Sequence, residues 1–213
     1  DWLSSRGLGD VYKRQADNPD DVDYASCGIS DAILIDNTGM SSSKEGLEKH
    51  LNNKEIKKVL FTAPVAKELK NIVYGVNHDD IDDKDQIIGA ASCTTNAIVP
   101  VLKAIDDEFE IDNGHVETIH SYTNDQNLID NYHSKSRRGR AAALNMVITE
   151  TGAAKAVSQI LPNLEGKLSA NAIRVPTPNV SLAILSLFLK KSSDQENFIA
   201  VSYTHLRAHE TIA

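Results

Sequence analysis

In the first half of the chain, short apolar runs alternate with helical patterns. "AILIDNTG" (32–39) reads as a buried strand ending in a turn, and "SSSKEGLEKHL" (41–51) as a capped helix. "KKVLFTAP" (57–64) reads as a second strand stopped by Pro64. Strand, helix and strand in that order predict a βαβ unit, hence a parallel sheet. "NIVYGVN" (71–77) and "QIIGAAS" (86–92) are expected to add two short strands. Ile98, Leu102, Ile105 and Phe109 then fall on one helical face, with Pro100 expected to kink the first turns.

Past residue 110 the pattern changes. "HVETIHSYT" (115–123), "ANAIRVPT" (170–177) and "VSLAILSLFLKK" (180–191) read as long strands. A polar segment (125–140) and a helix (152–161) separate them, so the second half suggests a mixed sheet with helices. There is no internal repeat. The ends, "DWLSSRGLGDVYKRQ" (1–15) and "VSYTHLRAHETIA" (201–213), change composition abruptly and resemble translated adapter sequence. Both are expected to be non-native and are set aside. "GLGDVY" is therefore a decoy: Tyr12 stands where a dinucleotide fingerprint has its third glycine, and no strand precedes Gly7.

Composition narrows the class. The chain has 213 residues, 41% of them hydrophobic, enough for a core in one or two domains. Cys27 and Cys93 lie far apart without metal-type spacing, which argues against a disulfide framework or zinc site and for a reducing, cytoplasmic setting. The longest apolar run, nine residues from Ser181 to Leu189, is far below the roughly 20 needed to span a bilayer. A net charge of −8 disfavours nucleic acid and anionic lipid over the general surface, so local positive clusters carry information.

Cys93 stands at the start of its expected helix, where unpaired N–H groups and the dipole favour a thiolate nucleophile. A buried, inert thiol is the competing reading. His120 ends a strand and can serve as an acid–base partner or as an ordinary core histidine. Lys135, Arg137, Arg138 and Arg140 in "KSRRGR" have no acid among them, and arginine forks suit phosphate or carboxylate. A solvated loop or subunit contact explains the same cluster. Thr151 before "GAAKAV" is a good N-cap that leaves the Gly152 amide for an anion. Arg174 is a charge within an apolar strand and needs a partner or a ligand.

"ASCTTNAIVP", "HSYTNDQ", "RRGRAAALN", "TGAAKAV" and "IRVPTPNVS" occur in this order, and together they resemble the glyceraldehyde-3-phosphate dehydrogenase family from about Ala16 to Ala200. "NGHVETIHSYTNDQNLIDNYH" looks most like its longer bacterial branch. The resemblance implies an α/β fold: a partial Rossmann-type NAD-binding domain (16–92) followed by part of an α+β catalytic domain with a mixed sheet (93–200). It implies Cys93 as the catalytic thiolate and His120 as the acid–base histidine. Thr123, Arg140 and Arg174 would bind the substrate phosphate, with Arg137 open as an alternative to Arg140. Ser92, Thr94, Thr151 and Gly152 would bind the attacking inorganic phosphate, while Thr38, Gly39, Thr62 and Asn124 would approach the cofactor. NAD is the implied cofactor, with NADP open. The segment 125–145 resembles a loop that packs across subunits, which implies a homotetramer. The family's first βα unit and C-terminal part have no counterpart here, so the chain is expected to be a fragment, inactive alone. The alternatives are erythrose-4-phosphate dehydrogenase and a non-catalytic binding protein of the same fold.

Overall fold

The computed structural model describes residues 15–207, with side chains to Val201. The expectations for residues 1–14 and 208–213 lie outside the described residues. The chain forms two compact units, one running to Lys70 and including Asp83–Gly89, the other comprising Asn71–Asp82 and the chain from Ala90 onward.

In the first unit, strand β1 (Ala32–Asp36), helix α1 (Lys44–Leu51), and strands β2 (Ile56–Phe61), β3 (Lys70–Asn71) and β4 (Ile87–Gly89) follow in order. The sheet order is β1-β2-β4-β3, with β1 parallel to β2 and β2 parallel to β4. Ser43 caps α1 by accepting from the Gly46 amide at 3.1 Å, which satisfies one first-turn donor. Leu47 on α1 buries against Ile56, Val59 and Phe61, and this small cluster is the unit's core. β1 departs from expectation: Ile33 and Ile35 are 66% and 59% exposed, so its second apolar face is open. "NIVYGVN" departs as well. Only Asn71 of it is strand, and Asn77 closes the following turn by accepting from the Val73 amide through its side chain at 2.8 Å.

In the second unit, α2 (Cys93–Phe109), β5 (Ile111–Ser121), β6 (Val147–Thr149), α3 (Ala153–Ile160), β7 (Leu168–Val175), β8 (Leu182–Leu189) and α4 (Gln195–Arg207) follow in order. Their sheet runs β6-β7-β5-β8, with β5 parallel to β7 and both outer pairings antiparallel. The mixed sheet expected from the second half is present, and the fold is α/β. Strand β6 was not legible: three residues are too few to show a period. One sheet face packs on α2 and α3 through Ile98, Leu102, Ile105, Val116, Val157 and Leu164. Phe109 stacks on Phe198 of α4, ring centroids 5.7 Å apart. α4 continues to Arg207, beyond the boundary placed at Ala200. α2 runs unbroken through Pro100, giving up one helical donor. Among the described residues, no helix is long and apolar enough to cross a membrane.

Candidate active site

The turn into α2 sets the position of Cys93. Ala91 adopts φ 56°, a left-handed conformation rare without glycine. Ser92 then caps the helix, its hydroxyl accepting from the Thr95 amide at 3.0 Å and meeting Thr95 Oγ1 at 2.6 Å. Cys93 is the first helical residue and is exposed. The reading of a buried, inert thiol therefore fails for Cys93.

His120 lies near the end of β5, and pairing of β5 with β7 puts it directly opposite Arg174. Its Nε2 is 3.5 Å from Cys93 Sγ across 27 residues of sequence. Its Nδ1 is 2.7 Å from the Ser121 carbonyl and 2.9 Å from Arg174 Nη1. Arg174 Nη1 also donates to the Ser121 carbonyl at 3.1 Å and to Thr123 Oγ1 at 3.3 Å. Cys93, His120, Thr123 and Arg174 thus form one continuous hydrogen-bonded cluster. A cleft of about 320 Å³ opens beside it, lined by Cys93, Thr94, His120, Ser121, Val180 and Ser181. Val180, at φ 68°, is a β-branched residue in left-handed conformation. Strain of that kind costs about 1–3 kcal/mol and concentrates at functional sites.

The arginine cluster resolves unequally. Arg140 is exposed and paired with Asp130 at 3.2 Å, and Arg137 donates to the Ile148 carbonyl at 3.3 Å. Arg138 is buried instead: it pairs with Asp125 and donates to Thr149 Oγ1 at 3.1 Å and the Glu150 carbonyl at 3.2 Å. Its charge reaches Arg174. Burial first, and then Arg138, hold the Arg174 guanidinium below the usual arginine range, with Asp125 and Cys93 opposing. The order of charges in "KSRRGR" gives no sign of which arginine turns inward; the ladder between β6 and β7 decides it. Arg174 Nε is buried without a partner among the described residues. A buried donor left unpaired is costly, and an anion would relieve both the vacant donor and the like-charge pressure.

Thr151 and Gly152 precede α3. The N-cap is Gly152 rather than the expected Thr151, although Thr151 Oγ1 still accepts from the Ala153 amide at 3.2 Å. Gly152 is exposed, with open space where a Cβ would stand. Asn124 is exposed, one residue beyond Thr123.

In the first unit, Thr38, Gly39 and Thr62 follow the carboxyl ends of β1 and β2, all exposed to solvent or nearly so. Asp36, which sequence reasoning passed over, organises them. Its Oδ1 accepts from the Thr38 amide and hydroxyl, each at 2.7 Å, and its Oδ2 lies 3.2 Å from His50 Nε2. Its carbonyl accepts from the Thr62 amide at 3.0 Å and hydroxyl at 3.2 Å. Burial opposes the charged form of Asp36, but the bonds from Thr38 and His50 together outweigh it and hold the carboxyl below its ordinary range. Its contribution to stability is therefore present above the unfolded carboxylate pKa and lost as pH falls through the lower folded value. Asp36→Asn should lower the urea midpoint at neutral pH, and the gap to the parent should narrow below about pH 4. A gap that stays constant through the acid range would remove the charge from this account.

Polar, exposed groups at the ends of adjacent parallel strands fit a dinucleotide, because such ligands sit outside the carboxyl edge of open α/β sheets. The family model described as the glyceraldehyde 3-phosphate dehydrogenase C-terminal domain matches residues 92–207. The chain belongs to the glyceraldehyde-3-phosphate dehydrogenase family. It is 61% identical over 181 residues to a glyceraldehyde-3-phosphate dehydrogenase-like protein of Pseudomonas aeruginosa, covering 85% of this chain and 39% of that protein. Over 186 residues it is 47% identical to the chloroplastic glyceraldehyde-3-phosphate dehydrogenase A of Zea mays, covering 87% of this chain and 45% of that one. With the glyceraldehyde-3-phosphate dehydrogenase of Clostridium pasteurianum the identity is 42% over 185 residues, covering 86% and 54%. The chain thus spans between 39% and 54% of the length of these curated relatives.

Proposed function

We propose that the full-length protein carrying this chain oxidises glyceraldehyde 3-phosphate to an acyl phosphate in the presence of inorganic phosphate, with NAD as cofactor. The observation that carries the reading is the 3.5 Å approach of His120 Nε2 to an exposed Cys93 at the start of α2. In this reading Cys93 Sγ attacks the aldehyde carbon, forming a C–S bond and a thiohemiacetal. His120 Nε2 takes the hydroxyl proton as the carbon is oxidised, leaving a thioester on Cys93. A bound nicotinamide would supply the hydride acceptor. Inorganic phosphate then attacks the thioester carbon, the C–S bond breaks, and Cys93 leaves as thiolate. Thr123 and Arg174 would hold the substrate phosphate, with Arg138 reinforcing the positive charge. Ser92, Thr94, Thr151 and Gly152 would receive the attacking phosphate, although the Ser92 hydroxyl is already occupied by Thr95. Thr38, Gly39, Thr62 and Asn124 would face the cofactor. As part of the same proposal, the working assembly is a cytoplasmic homotetramer.

The reading is tested by following nicotinamide reduction in the full-length protein with and without inorganic phosphate. With phosphate, turnover is sustained; without it, reduction stops near one equivalent per site as the thioester accumulates. Phosphate-independent turnover, or faster turnover of erythrose 4-phosphate, would sink it.

Arg174→Leu separates a phosphate contact from a structural charge. A charge-assisted bond to phosphate contributes roughly 1.5–3 kcal/mol, so kcat/KM for glyceraldehyde 3-phosphate should fall about ten- to hundredfold. Equal proportional losses on unphosphorylated glyceraldehyde, with a lowered Tm, would mark Arg174 as merely structural.

A further inference from the structure

Asp36 is buried, yet it places three groups that are not. Its Oδ1 takes both the amide and the hydroxyl of Thr38, at 2.7 Å each. The Thr38 hydroxyl proton is thereby committed, and its oxygen accepts the Met40 amide at 3.2 Å. Between them Gly39 closes the turn at φ 65°, a left-handed conformation that favours glycine, with open space where a Cβ would stand. Through its main-chain carbonyl Asp36 also accepts from the Thr62 amide and hydroxyl, just past the end of β2. One buried residue therefore sets Thr38, Gly39 and Thr62, all exposed on two adjacent strand ends, relative to one another.

His50 fixes that residue in turn. It stands in the last turn of α1, its ring mostly buried, with Nε2 3.2 Å from Asp36 Oδ2. Burial opposes the charged form of Asp36, but the bonds from Thr38 and His50 keep its carboxyl low. An ionised carboxylate has no proton to give, so the bond at Oδ2 is one that His50 donates. With Oδ1 held by Thr38 and Oδ2 by His50, the plane of the carboxylate is pinned from both sides. The other ring nitrogen, Nδ1, is buried without a hydrogen-bond partner among the described residues. An unpaired buried polar atom is costly, and a leucine would fill the space without it. The bond to Asp36 is what an imidazole supplies there and an apolar side chain does not.

We infer that Asp36 and His50 are positioning residues for the nicotinamide cofactor, holding the Thr38–Gly39 turn and Thr62 in shape before the cofactor arrives. Both act through Thr38 and Thr62. A loop already in its bound shape does not have to be ordered on binding, and that difference appears as affinity. The effect falls on cofactor binding and leaves the chemistry at Cys93 alone: loss of the pair raises the cofactor KM, with kcat at saturating cofactor unchanged. This rests on the reading of Thr38, Gly39 and Thr62 as the cofactor-facing groups.

The test uses full-length protein at a temperature where every variant is folded. Binding of the reduced cofactor is followed by its fluorescence, and hydrogen exchange of the segment 37–43 by mass spectrometry. His50→Leu should weaken cofactor binding about three- to tenfold and speed exchange of that segment in the cofactor-free protein. His50→Gln, whose amide can donate to Asp36, should bring both back towards the parent. Ile56→Val is the control, in the same core but at the far end of β2 from Thr62. It should lower the urea midpoint and leave cofactor affinity and exchange of 37–43 unchanged. If His50→Leu loses stability but keeps parent affinity and parent exchange, the inference is overturned and the cofactor site stands. In the parent, bound cofactor should slow exchange across 37–43. If cofactor binds and the segment does not respond, the cofactor-facing reading and the inference fall together. Should His50→Leu not fold, His50→Phe takes its place, keeping a ring and removing the donor.

Discussion

Cys93→Ser in the full-length protein is expected to abolish turnover while leaving cofactor binding intact. Serine keeps the size of the side chain, the N-cap at Ser92 and the start of α2, so the backbone has no reason to move. What changes is ionisation: a hydroxyl is far less ionised than a thiol near neutral pH and is a poor nucleophile unless an adjacent base activates it. Loss of a catalytic nucleophile lowers kcat by roughly a thousandfold or more. Binding of the reduced cofactor, followed by its fluorescence, should stay near the parent value. Cys27→Ala is the control. Cys27 is the last residue of a 3-10 turn (Ala25–Cys27) in the other compact unit, its Sγ 3.7 Å from the Asp23 carbonyl, with no histidine bonded to it among the described residues. If Cys27→Ala were the dead variant and Cys93→Ser retained activity, the nucleophile would have to be reassigned.

The local part of this site was legible, and the cross-chain part was not. Cys93 at the start of its helix stands where the pattern put it, whereas Ser92, read only as a phosphate contact, is the helix cap. That His120 reaches Cys93 depends on α2 packing against β5 and on β5 pairing with β7, neither of which sequence spacing encodes. The pairing of β6 with β7, likewise not encoded in spacing, put Arg138, rather than Arg140, beside Arg174. Arg140 has the spacing expected of an anion ligand, yet Asp130 engages it in the loop. Asp36 was missed because an aspartate after "AILI" looks like a strand end. Its role appears only when Thr38, Thr62 and His50 converge on it from three segments.

Among the elements themselves, long periodic segments were read correctly, and of the three-residue strands β4 was found from the apolar run "QIIGAAS" while β6 was missed. α2 and β5 carry enough residues for a period to be counted, whereas β6 has three. "NIVYGVN" is apolar and β-prone, but the Asn77 side chain and Gly75 at φ 82° fold it into a turn, and its Val73 is buried in the core of the second unit. There burial is achieved without a strand, which alternation alone cannot distinguish from one.

The second large effect concerns the scaffold that aims Cys93. Leu102 lies three turns into α2, fully buried among Ile98, Ile105, Val157 and Leu164. Leu102→Ala is expected to cost about 2–5 kcal/mol through lost transfer energy and the cavity left behind. Native domains are stable by only about 5–15 kcal/mol, so this is a large share of the total. The urea midpoint should fall sharply with the slope unchanged, because the surface exposed on unfolding hardly changes. Activity per folded molecule should remain near the parent at temperatures where the variant stays folded, since Leu102 contacts neither Cys93 nor His120 through any hydrogen bond. Leu144→Ala is the companion measurement: Leu144 is 82% exposed, and truncation at such a surface position should shift stability by no more than about 0.5 kcal/mol. Comparable losses at Leu102 and Leu144 would mean that the interior face of α2 is not packed as described, and the placement of Cys93 would lose its support with it.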